Sequence, residues 1–60
     1  MKDISYKISA KNYLQHFQSI DAANRIFDAL VEKGYLRVEL SMVAKSKYYY
    51  NEVSIKIHKA

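Results

Sequence analysis

Sixty residues with ten Lys and Arg against six Asp and Glu carry a formal charge of +4 and no cysteine. Such a chain is shorter than the usual domain of roughly 100 to 150 residues, so it holds one core over residues 1–60 and no disulfide framework. No apolar run approaches the roughly 20 residues that cross a bilayer. The start, Met1-Lys2-Asp3-Ile4-Ser5, lacks an apolar stretch of signal-peptide length, so the expected location is cytoplasmic with no membrane partner.

Half the residues are apolar or aromatic, with one glycine and no proline, which is a composition that folds. Small domains supplement a thin core with disulfides, a metal or association. Here the first is closed and only His16 and His58 offer imidazole ligands. A homodimer or a lasting partner is therefore expected.

The first eighteen residues read as a hairpin around a loop at residues 9–12, which places Ile4, Tyr6 and Ile8 on one face with Phe17, Gln15 and Tyr13. The alternative is a β-α-β-β chain whose helix begins at Asn12. At about 100° per residue that extension carries Leu14 and Phe17 off the apolar stripe and turns Gln15 and His16 into it, which favours the hairpin.

Residues 19–34 read as a helix. Ser19 can cap its start, Asp21 puts negative charge in the first turn, and Lys33 and Gly34 close the far end. Ile20, Ala23, Ile26, Phe27, Leu30 and Val31 share one stripe, while Asn24, Arg25, Asp28 and Glu32 face away.

Alternation resumes over residues 36–42 and again over 53–58, so two more strands are expected. A loop at residues 44–47 pairs Leu36 with Ile55, Val38 with Val53 and Met42 with Tyr49 on the inner face. It also sets Glu39 opposite Glu52 and Asn51 inward opposite Leu40, two faults that a bulge near Asn51 relieves. The predicted fold class is α+β, a single helix on a four-stranded antiparallel sheet in the order 2-1-3-4, read along the chain as β-β-α-β-β.

Catalysis finds little support. His16 and His58 fall on the two outermost strands, and neither joins a His, Cys or carboxylate cluster with metal-ligand spacing. One glycine cannot build a phosphate-cradling loop. Asp21, Asp28 and Glu32 read as solvated helix surface. No enzyme, no cofactor and no metal is expected.

Charge and aromatics point instead to binding. By sequence, residues 1–18 carry +2, residues 19–34 carry −1 and residues 35–60 carry +3, so the sheet is basic and the helix is not. A basic sheet with Lys7, Arg37, Tyr48, Tyr50, Lys56 and His58 on its open side suits nucleic acid, with bases stacked on rings and phosphates held by cations. Against this, the Lys11 loop and the Lys45/Lys47 loop lie at opposite ends and form no single groove.

The run Tyr48-Tyr49-Tyr50 can hide only one parity in a strand. At least one ring is then exposed and, with Val43 opposite Tyr48, forms an apolar spot flanked by Lys45 and Lys47. The favoured partner is a host protein or protein complex that contacts this tip. The last strand leaves an edge lightly guarded by Lys56 and Lys59, open to a partner's strand or a second copy.

A hairpin-helix-hairpin chain of this size resembles accessory proteins of phages and mobile elements, some of which bind and inhibit host enzymes or defence complexes. The resemblance is one of architecture alone. Heavy use of Lys, Ile, Tyr and Asn fits an AT-rich bacterial or phage genome.

Overall fold

The structure, a computed structural model, describes residues 3–60. Met1 and Lys2, the first two residues of the segment read for a leader, lie outside the described residues. The elements in chain order are β1 (Asp3–Ala10), β2 (Tyr13–Phe17), α1 (Ile20–Glu32), β3 (Arg37–Ser46) and β4 (Tyr49–Lys59). They form one sheet in the order β2-β1-β3-β4, every pair antiparallel, with α1 packed on one face. No helix begins at Asn12.

Residues 10–13 make a tighter turn than expected. Ala10 pairs with Tyr13, leaving Lys11 and Asn12 as the loop. Asn12 takes a positive φ of 59°, which its short polar side chain tolerates better than most. The register accordingly moves by two residues, to Tyr6 with Phe17 and Ile8 with Gln15. Because side chains alternate with period two, an even shift leaves every residue on its expected face.

The helix starts and stops where its caps dictate. Ser19 is extended and accepts a long bond of 3.4 Å from the Ala22 amide. At the other end Gly34 stands at φ 98°, its amide donating to the Val31 carbonyl while the Tyr35 amide reaches back to that of Leu30. This is a Schellman closure, and it satisfies carbonyls that the helix would otherwise leave bare.

The buried core is Ile8, Ala23, Phe27, Leu30, Val38 and Leu40, ringed by half-buried side chains that include Tyr6, Phe17, Ile20, Ile26 and Val31. The helix packs on β1, β2 and β3. Where it leaves most of β4 uncovered, Lys56 closes the gap, its ammonium 4.4 Å from the centre of the Phe27 ring and 3.5 Å from the Asn24 side-chain oxygen. A lysine with an apolar stem and a charged head suits such a seam.

The second hairpin departs most from expectation. Its loop is Lys47-Tyr48 rather than residues 44–47, and Ser46 pairs with Tyr49. A bulge follows, as Leu40 pairs with Lys56 but Ser41 with Ser54, so Ile55 is the extra residue. The register thus differs by an even step near the turn and an odd one beyond the bulge. Faces survive at Tyr49, Asn51 and Val53 and flip from Lys56 onward. Lys56 and His58 turn toward the helix, Ile57 turns to the open face, and Leu36, expected to be an inward strand residue, precedes β3 and is exposed. The expected clash also vanishes, since Glu39 faces Ile57 and Glu52 faces Val43.

Candidate functional site

β1 ends at Asp3 opposite Lys45, and β2 stops opposite Tyr6. Among the described residues, positions 46–49 therefore extend past every other strand, at one end of a molecule measuring 38 × 18 × 17 Å. At that end Tyr48 occupies the turn and is 89% exposed, with the Lys47 ammonium 5.5 Å from its ring centre. Tyr49 pairs with Ser46 on the helix side, and Tyr50 pairs with Lys45 on the open side, 63% exposed. Three consecutive rings thus leave the tip in three directions.

Of the six residues expected at the tip, Lys45, Lys47, Tyr48, Tyr49 and Tyr50 gather there and are exposed. Val43 does not join them. It lies opposite Glu52 rather than Tyr48 and is buried, because β3 is a central strand flanked on both sides. The expected apolar spot is consequently made of tyrosine alone.

The five residues expected to form a nucleic-acid face are dispersed. Lys7, Arg37 and Tyr50 lie on the open face, Tyr48 lies in the turn, and Lys56 lies on the helix side with Asp28 at 3.9 Å. His58, expected beside them, is on the helix side opposite Val38. The bulge at Ile55 is the cause of both displacements. Lys7 is also ion-paired with Glu52 across β3. This carboxylate, as hydrogen-bond partner and then as charge, raises the Lys7 pKa above its ordinary 10.5 despite the opposing effect of burial, with Tyr50 and Glu39 adding smaller charge contributions.

Strand pairing places Asp3, Glu39 and Glu52 among Lys7, Arg37, Lys45 and Lys59 on the open face. Acidic and basic side chains are interspersed there, apart from the like-charged Arg37 and Lys59 at one end, so the face carries only a small positive excess. His16 and His58 stand on β2 and β4, the two outer strands. Among the described residues no three His, Cys, Asp or Glu side chains come close enough to hold a metal ion, and no helix is long and apolar enough to cross a membrane.

Two features escaped the sequence reading. Lys56 serves as a lid over Phe27, which no alternation pattern signals. The Lys7–Glu52 pair covers Ser41 and Val43 and depends on a register that only the assembled sheet defines. Compared with protein-family models, curated proteins and solved structures, the chain matches none of them.

Proposed function

We propose that this chain is a non-catalytic protein-binding module whose contact site is the tip formed by Tyr48, Tyr49 and Tyr50 with Lys45 and Lys47. The observation that carries this reading is a tyrosine 89% exposed at a projecting turn, where it contributes nothing to the core. Tyrosine provides a large apolar area with a polar end at little cost in rotamer entropy, which is why it is enriched at interfaces. Rings pointing three ways suit insertion into a groove better than contact with a flat surface. Occupying the surface of a host enzyme or defence complex, as the phage-type inhibitors that the architecture resembles do, is the form of binding that a domain this small can perform.

The test is affinity capture from lysate with the parent chain and with Tyr48→Ala/Tyr50→Ala. A specific partner is expected to be retained by the parent and lost by the variant, with an affinity penalty of about 2 kcal/mol or more. Equal retention by both, at equal thermal stability, rejects the tip as the contact site.

A second contact is favoured by β4, whose outer edge is unpaired and whose Val53, Ile55 and Ile57 are all about half exposed. We assign it to strand addition, either by a partner's strand or by a second copy of this chain.

A further inference from the structure

At the end of the molecule opposite the tyrosine tip, the β1–β2 turn, the loop leaving α1 and the start of β3 enclose an open cleft of about 890 Å³. The volume is that of a site for a small organic ligand. Lys11 enters from the turn, Lys33 and Tyr35 from the helix exit, and Leu36, Arg37 and Glu39 from the approach to β3 and its first residues. Lys59 stands directly across the sheet from Arg37 on β4. Ala60 donates its amide to the Leu36 carbonyl at 2.8 Å, which holds this end of the ladder closed.

The electrostatics of the cleft differ from those of the sheet. Lys7 is matched by Glu52, Lys56 by Asp28, and Lys45 faces Asp3 across a strand pair. Among the described residues, Lys11, Lys33, Arg37 and Lys59 have no carboxylate within ion-pairing distance. Arg37 and Lys59 are like charges in directly opposed positions, an arrangement that destabilises a sheet unless an anion neutralises it. Acidic side chains at this end include Glu39, in the cleft wall, and Glu32, in the last turn of the helix. The C-terminal end of α1, whose dipole favours cations, also lies here, with the amides of Lys33, Gly34 and Tyr35 bonded to the carbonyls of Ala29, Val31 and Leu30.

We propose that this cleft binds a nucleoside phosphate, either as a free nucleotide or as a unit of a single strand. Arg37, Lys11 and Lys33 all line the cleft, and their guanidinium and ammonium groups offer donors to phosphate oxygens. The half-buried Tyr35 ring and the exposed Leu36 side chain give a base an apolar surface on which to lie. Glu39 accepts hydrogen bonds from sugar hydroxyls or base amines, and it repels a ligand that is anionic throughout. This combination favours a nucleotide over an acidic peptide.

Isotope-labelled protein titrated with adenosine monophosphate, a short oligodeoxyadenylate and, separately, a short polyglutamate provides the test. The expected result is a saturable shift of the amide signals of Lys11, Asn12 and residues 33–37 with one of the first two, weakened by added salt. A response to the monophosphate identifies a free nucleotide, and a response to the oligonucleotide alone identifies a strand. Lys33→Glu/Arg37→Glu is expected to lower the affinity at least about tenfold, and Lys11→Glu in the turn checks the same site by an independent change. The proposal is overturned if neither nucleotide shifts these signals, if the shifts fall at residues 45–50 instead, if polyglutamate binds as well, or if the folded variants bind like the parent.

Discussion

Lys7 shows how much a single residue's role depends on its register. On β1 it is in register with Ser41, and Glu52 is in register with Val43, so their ion pair bridges the central strand and shields both small side chains. The two charged side chains are about a quarter and a third exposed, so solvent screening holds the coupling to the range of surface pairs, about 0.2–1 kcal/mol. A double-mutant cycle with Lys7→Met and Glu52→Gln is expected to return a coupling of that size. The raised Lys7 pKa sets the sign of its pH dependence. Stability from the pair is fully present below the ordinary value of 10.5 and is lost as pH climbs through the higher folded-state value. The gap between the parent and Lys7→Met in urea unfolding should accordingly shrink at strongly alkaline pH. A gap that stays constant there contradicts this assignment.

At the scale of elements, the helix was legible because its signals are local. Ser19, the 3.6-residue stripe from Ile20 to Val31 and Gly34 all act within a few residues of where they stand. Gly34 permits a clean experiment, since a Cβ placed there meets nothing within 4 Å, and only the backbone angle of 98° resists a side chain. Gly34→Ala is expected to cost about 1 kcal/mol in chemical denaturation through left-handed strain alone. A neutral result indicates that the Schellman turn relaxes to another closure. The hairpins were less legible than the helix because hairpin register is set by the turn. At the first turn the error was an even step and left all faces intact. At the second, the bulge at Ile55 turned it into an odd step, which moved Lys56 and His58 to the helix side and Ile57 to the open side.

The molecule as a whole has a small core and a long uncovered strand. The helix protects β1 to β3, while β4 runs eleven residues with only His58 half-buried and the rest exposed. Chains of about sixty residues bury only about 60% of the surface they expose when unfolded, which leaves little reserve of stability. Self-pairing along β4 would supplement it. Sedimentation should then show a dimer forming as concentration rises, with the melting midpoint rising alongside. The bulge at Ile55 and the charge of Lys56 limit such pairing to the stretches on either side. A monomer at all concentrations, with a constant midpoint, assigns the edge to a different partner or to none.

The sequence by itself determined the α+β class, the order β-β-α-β-β, the strand order 2-1-3-4, the helix with its caps, the core stripe and the exposure of at least one ring of the tyrosine run. Each follows from periodicity, capping chemistry or the handedness of connections, all of which act locally or by general rule. The tertiary structure alone decided the charge distribution of the open face, the burial of Val43, the lid made by Lys56 and the basic cleft that joins Lys11, Lys33 and Arg37. Those residues are brought together by turn length and by one bulge, and a one-residue change in register moves a side chain to the opposite face of the sheet.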